Sequence, residues 1–203
     1  MKWAIPTLWP GATVAILASG PSMSQAVANR IRERAVPCIA VNTTFVLAPW
    51  ASMIYAADDS WWQYHKKKVD ALASPETLKV TVEPSSFMDL LWLTNGGRLG
   101  LLDEGPTHIA TGANSGFQAV QVAIKAGAAN IELHGFDMQS KGGYHHWHGM
   151  HPTSHLRNHG EDQYISWISN FNSIVEPVKK LGVRIVNCTP GSALTCFESQ
   201  AAP

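Results

Sequence analysis

The sequence predicts an α/β fold, a doubly wound and mostly parallel sheet in three α/β/α layers, on three observations. Short continuous apolar runs alternate with segments of helical periodicity along the chain. The first run closes in a turn, Ser19-Gly20-Pro21-Ser22, that leads straight into a helix. The later runs end in Gly, Asn, Asp or Ser, the small or short polar residues suited to a ligand crevice at the carboxyl ends of strands, though turn propensity alone supplies many of them.

Thr13 to Ala18 is apolar almost throughout, the pattern of a strand buried on both faces. After the turn, residues 23–34 read as a helix, with Ser22 or Ser24 as N-cap and Arg30, Arg32 and Arg34 where the helix dipole favours cations. Pro37 resets the chain, and Cys38 to Asn42 is a second buried strand that completes a βαβ unit. Phe45 to Pro49 is a connection, and Ser52 to Ala57 is a third strand ending at Asp58-Asp59. Ser60 to Ala73 reads as a helix carrying Trp61, Trp62 and Lys66-Lys67-Lys68, and Thr77 to Val82 as a further strand. Residues 83–107 show no clear period, with a Gly96-Gly97 break, and are expected to form an irregular excursion or lid.

Thr111 to Gly116 is a second small-residue turn, opening a helix over 117–126 that stops at Gly127. Asn130 to Leu133 is a strand that closes in His134-Gly135-Phe136-Asp137, and a glycine- and histidine-rich loop occupies 139–160. Glu161 to Leu181 is a long amphipathic helix with an interruption expected at Pro177. Gly182 caps it, Val183 to Asn187 is the last strand, and a turn at Thr189 to Ser192 precedes a short terminal helix. Residues 1–203 are thus read as one Rossmann-like nucleotide-binding domain.

Composition limits the function classes. Of 203 residues, 45% are apolar and 15% charged, which excludes a disordered chain. Fifteen Lys and Arg balance fifteen Asp and Glu, so no broad cationic footprint for nucleic acid or an anionic membrane is expected. The lysine triplet reads as a solvated helix face. Cys38, Cys188 and Cys196 are widely separated, odd in number and without a C-x-x-C pair. Neither a disulfide framework nor a cysteine zinc site is indicated, and a reducing cytoplasm is the expected location. No window reaches the roughly 18 apolar residues of a membrane span.

Two turns are candidate phosphate cradles, Ser19 to Ser22 and Thr111 to Gly116. Gly20 permits close backbone approach to a ligand, and free N–H groups at a helix start attract anions. Each turn is equally readable as a tight strand-to-helix connection, and neither matches G-x-G-x-x-G or a P-loop. Asp58 suits a Mg²⁺ ion beside phosphates or a helix cap; Asp137 suits a ribose hydroxyl or a loop-fixing role. Of nine histidines, six fall between His145 and His159, without zincin spacing. They offer a metal site or a general base that works near neutral pH. Trp61, Trp62, Tyr64, Trp147, Tyr164 and Trp167 are candidate pocket aromatics as well as core anchors.

These motifs, in this order, resemble a known group. Ile16-Leu17-Ala18-Ser19-Gly20-Pro21-Ser22-Met23 is similar to the opening of the bacterial sialyltransferases of the Campylobacter lipooligosaccharide type. It is equally similar to that of the family of unknown function containing the archaeal-type 6-hydroxymethylpterin diphosphokinases. Val41-Asn42-Thr43 resembles the second-strand asparagine of the sialyltransferases. Thr111 to Gly116 with Gly135-Phe136-Asp137 resembles their central segment, and Asn158-His159-Gly160 with Val186 to Phe197 their closing one. The resemblance implies a nucleotide-sugar-dependent glycosyltransferase with no obligatory cofactor. Ser19, Gly20, Asn42, Ser115 and Gly116 would contact the nucleotide and His159 would act as general base. Pro21, Ser22, Asp58, Thr111, Gly112 and Asp137 complete the expected nucleotide site.

The chain departs from the sialyltransferase pattern at three places. Ser19 replaces an asparagine; Asp58 replaces another and is closer to the diphosphokinases, for which Mg²⁺ would be required. Tyr144 is the one tyrosine near the position of the pair that supports the leaving phosphate, and His155 lies one helical turn from His159. Compact chains with this motif set are also similar to phage- or prophage-borne members, which leaves a non-catalytic nucleotide-binding protein as a third expectation. The resemblance further implies a homo-oligomer.

Overall fold

The computed structural model describes residues 1–101, 105–150 and 160–200. Among the described residues, nine parallel strands form one sheet in the order β6-β5-β4-β3-β2-β1-β7-β8-β9. They are β1 Thr13–Leu17, β2 Cys38–Val41, β3 Met53–Tyr55, β4 Leu78–Val82, β5 Leu91–Gly97, β6 His108–Ala110, β7 Asn130–His134, β8 Arg184–Asn187 and β9 Glu198–Ser199. Helices α1 Gln25–Glu33 and α2 Asp59–Leu72 cover one face; α3 Ser115–Lys125, α4 Glu161–Asn172 and α5 Val175–Lys180 cover the other. The expected three-layer α/β/α architecture is therefore present.

The continuous apolar runs work because both sheet faces are covered. Val14 and Ile16 of β1 pack towards α3 and α4, while Ala15 and Leu17 pack towards α1 and α2. Ile39 and Val41 against Cys38 and Ala40 repeat the alternation in β2. No polar position is needed on strands buried on both sides.

Ser24 caps α1, accepting from the Val27 amide at 3.4 Å. Asn114 caps α3, accepting from the Phe117 amide at 2.9 Å. Lys66 does not stand as a solvated charge: its Nζ lies 2.5 Å from Asp70 and 2.9 Å from Asp89.

Three segments differ from the sequence expectation. The stretch read as an irregular excursion contains β5, whose outer half is polar and partly exposed, with a register shift between Asn95 and Gly97. The helix expected to break at Pro177 breaks earlier, around Ser173, whose hydroxyl donates to the Asn170 carbonyl at 2.6 Å and accepts from the Gly100 amide at 3.1 Å. Pro177 sits in the first turn of α5, where its missing N–H costs nothing. In place of a terminal helix, Glu198–Ser199 adds a short ninth strand beside β8, and Arg184 clasps Glu198 at 2.7 Å.

Cys38, Cys188 and Cys196 are all free thiols. Among the described residues no helix is long and apolar enough to cross a membrane.

Candidate functional site

Strand β1 is flanked by β2 on one side and β7 on the other. The chain runs outward from β1 to the β6 edge, then returns to β7 across β1. Connections leaving β1 and β7 diverge at this switch point, the place where open parallel sheets bind ligands. A cavity of about 590 Å³ opens there, within the range of small-molecule sites. Its lining includes Ser19, Gly20, Pro21, Asn42 and Asp58 from the first half of the chain. Thr111, Ser115, Gly116 and Asp137 come from the second half. Ser22 and Gly112 are not among the lining residues.

The Ser19 to Ser22 turn is held largely by protein partners. The Gly20 amide donates to the Gly135 carbonyl at 2.9 Å. Ser22 gives its amide to Asp137 Oδ1 at 3.1 Å and its hydroxyl to Oδ2 at 2.8 Å. Ser19 Oγ lies 3.3 Å from the Val41 carbonyl and 3.0 Å from Thr44 Oγ1. Pro21 has no N–H, and among the described residues the Ser19 amide has no backbone acceptor, which leaves it for an anion. Gly20 is required by the packing: a Cβ there would lie 2.1 Å from Asp137 Oδ2. Asp137 thus does the loop-fixing work. Its own position leaves it lining the cavity as well.

Burial pushes the Asp137 carboxyl above its ordinary value, against the lowering effect of the Ser22 hydrogen bonds. A carboxyl with a folded value above its unfolded one binds more protons in the folded state between the two. Its contribution to stability therefore falls as pH rises through a window that starts near the unfolded value of about 3.9. Asp137→Asn should remove this slope. Urea midpoints of both proteins from acid to neutral pH test it; parallel pH profiles would exclude the assignment.

The second turn is arranged differently. Its carbonyls are each taken by a side chain: Thr111 O by Gln118 Nε2 at 2.8 Å, Gly112 O by Asn170 Nδ2 at 2.6 Å and Ala113 O by Trp167 Nε1 at 2.8 Å. With those oxygens committed, the turn presents the start of α3 to the cavity. The first amides of a helix have no intrahelical acceptor, and the dipole places about half a positive charge there. Ser115 and Gly116 carry those amides. Ser115 Oγ accepts from the Ala57 amide at 3.4 Å, tying α3 to the end of β3. Tyr55 adds a buried brace, donating to Gln118 Oε1 at 2.7 Å.

Asn42 directly follows β2 with φ 51°, in the left-handed region. Its Oδ1 is buried and has no hydrogen-bond partner among the described residues. A buried acceptor without a donor costs roughly 1–3 kcal/mol, which a ligand donor would recover. Asp58 occupies the N-cap position of α2 without a capping bond, so its carboxylate remains exposed at the cavity edge. Its neighbour Asp59 instead accepts from Ser85 Oγ at 2.7 Å. No lysine or arginine is found among the described residues of the cavity wall.

Histidine and tyrosine meet on the remaining wall. His145 Nδ1 and Tyr164 Oη are 3.0 Å apart, with the rings stacked. Burial, then Asp137 and Glu161, push the Tyr164 phenol up to about 12, so it stays protonated at neutral pH and can donate. Neither residue was singled out by the sequence for a catalytic role, although both fell within its histidine and aromatic groups. Nineteen positions separate them, and that separation carries no periodic signal. Tyr144 is not on this wall. It is 63% exposed and borders a shallower depression of about 250 Å³ with Lys141 and Trp147. His155 and His159 lie outside the described residues.

The described part of the histidine-rich loop is fastened to the first turn. The Trp147 amide donates to the Ser19 carbonyl at 3.1 Å, and its Nε1 donates to Thr44 Oγ1 at 3.2 Å. Compared with protein-family models, curated proteins and solved structures, the chain has no match in any of the three.

Proposed function

We propose that the protein is a nucleotide-sugar-dependent glycosyltransferase whose donor lies in the switch-point cavity. One observation carries the reading: the open end of α3 lies at a cavity also lined by Asn42, whose buried Oδ1 has no hydrogen-bond partner among the described residues. A phosphate would take the Ser115 and Gly116 amides, as anions do at helix starts. A ribose hydroxyl or base amine would donate to Asn42 Oδ1.

In the transfer, a histidine accepts the proton of an acceptor hydroxyl, and that oxygen bonds to the anomeric carbon. The bond from this carbon to the phosphate oxygen breaks, and its electron pair leaves with the nucleotide, whose charge faces α3. The resemblance assigns the base to His159; the described wall offers His145, oriented by Tyr164. A neutral imidazole suits this work near pH 7. A cytoplasmic homo-oligomer of phage or prophage origin fits the same reading.

A second reading rests on Asp58. An uncommitted carboxylate on a wall without lysine or arginine suits a Mg²⁺-dependent phosphotransferase of the diphosphokinase type. Thermal denaturation with CMP, CDP, UDP, GDP, ADP and ATP, each with and without Mg²⁺, separates the two. Saturation at 100 times the dissociation constant adds about 2.7 kcal/mol, a readable rise in melting temperature. The transferase predicts a rise with a sugar-carrier nucleotide in the absence of metal. A rise confined to ATP with Mg²⁺, and lost in Asp58→Asn, selects the phosphotransferase. No rise with any of the six removes the nucleotide site altogether.

A further inference from the structure

Away from the cavity, on the α1 side of the sheet, Glu132 and His134 of β7 meet Cys188, which directly follows β8. One ligand atom from each, a carboxylate oxygen, an imidazole nitrogen and a thiol sulfur, lie within 4.8 Å of one another. His134 is 1% exposed and Cys188 3% exposed. His134 Nε2 is buried without a hydrogen-bond partner among the described residues and points at Glu132 Oε2, 3.6 Å away.

We propose that Glu132, His134 and Cys188 form a binding site for a Zn²⁺-class divalent ion that clamps β7 to β8. A tetrahedral zinc ion binds oxygen and nitrogen at about 2.0–2.2 Å and sulfur at about 2.3 Å, which sets adjacent ligand atoms about 3.3–3.7 Å apart. The Nε2–Oε2 separation already meets that spacing, and the sulfur, within 4.8 Å of the other two ligand atoms, must draw in by up to about 1 Å to close the site. The mixed donor set selects the metal: a thiol and an imidazole suit zinc and its neighbours, whereas Mg²⁺ and Ca²⁺ require oxygen ligands. On binding, the Cys188 S–H proton passes to solvent and the sulfur bonds the metal, so carboxylate and thiolate bring two negative charges to a site that also holds the Arg34 cation. Water completes the fourth position.

Arg34 already grips Glu132, with Nη1 to Oε2 at 2.6 Å and Nη2 to Oε1 at 2.8 Å. Coordination through Oε2 leaves Oε1 on Nη2, an outer hydrogen bond of the kind that orients a metal-bound carboxylate. An ion would have to enter past Arg34 and Glu132, whose side chains are 29% and 16% exposed. Gly135 to Asp137 follow His134 directly, so the clamp would steady the loop that closes on Gly20.

Cobalt titration of the chelator-treated full chain tests the site, because Co²⁺ takes zinc positions and reports its ligands by absorption. One equivalent should produce tetrahedral visible bands with a near-ultraviolet thiolate-to-cobalt band, and Zn²⁺ should bleach both. Cys196→Ser should retain the near-ultraviolet band and Cys188→Ser should lose it while keeping a cooperative melt. Should Cys188→Ser not fold, the wild-type stoichiometry and zinc displacement still decide. Folded wild-type protein without the thiolate band overturns the proposal, including where cobalt binds through histidines alone. A band that survives in folded Cys188→Ser overturns it equally.

Discussion

Gly20→Ala is expected to destabilise the protein by about 3 kcal/mol, far more than a glycine-to-alanine change at an ordinary turn. The added Cβ would fall 2.1 Å from Asp137 Oδ2, 2.4 Å from the Gly135 carbonyl oxygen and 2.9 Å from Asp137 Cγ. These atoms cannot step aside cheaply. The carboxylate is fixed by the Ser22 amide and hydroxyl, and Gly135 accepts from the Gly20 amide itself. Relief requires β1 and β7 to part at their carboxyl ends, which breaks hydrogen bonds to a buried charge. Urea denaturation should show a lowered midpoint with an unchanged slope, the mark of lost stability without a changed unfolded state. Asp137→Gly in the Gly20→Ala background should restore part of the loss, because the carbonyl clash remains. Near wild-type stability for Gly20→Ala would mean that the two loops are not in this contact.

That contact also marks where sequence reading stops. Gly20 is legible as a residue needed for close approach, but the sequence does not show that Asp137, 115 positions beyond Ser22, packs against it. Local signals do carry the framework. Apolar runs such as Val14 to Leu17 become strands because both faces are covered, and Asn42 and Asp58 fall at the cavity because they follow those strands. Strand β5 is not legible in the sequence because its outer half is neither continuously apolar nor strictly alternating, and Gly96-Gly97 reads as a break. The pairing of His145 with Tyr164, and of Glu132 and His134 with Cys188, depends on strand order and helix placement. Residue spacing contains no record of either. The carbonyl-side anchoring of the second turn by Gln118, Asn170 and Trp167 is hidden for the same reason, since two of its three donors arrive from α4.

Asn42→Gly should raise stability by about 1 kcal/mol and, under the proposed function, weaken nucleotide binding at least tenfold. Two local costs vanish with the side chain. Asn42 holds φ 51°, which glycine adopts without a Cβ penalty, and its Oδ1 is a buried acceptor without a donor among the described residues. Glycine returns some of that gain by widening the unfolded ensemble, so the net rise is smaller than the sum. A residue selected for folding alone would not combine both costs at the end of β2, on the cavity wall. Their coincidence is the pattern of strain kept for binding, where a ligand donor compensates the orphaned oxygen. Urea midpoints of the free proteins and isothermal titration with the nucleotide selected by the melting screen measure the two effects separately. Lower stability with unchanged affinity would make Asn42 a structural residue and leave α3 as the principal anchor of the ligand. Higher stability with weakened binding would place the ligand donor on Asn42 Oδ1, joining the second strand to the helix start across the switch point.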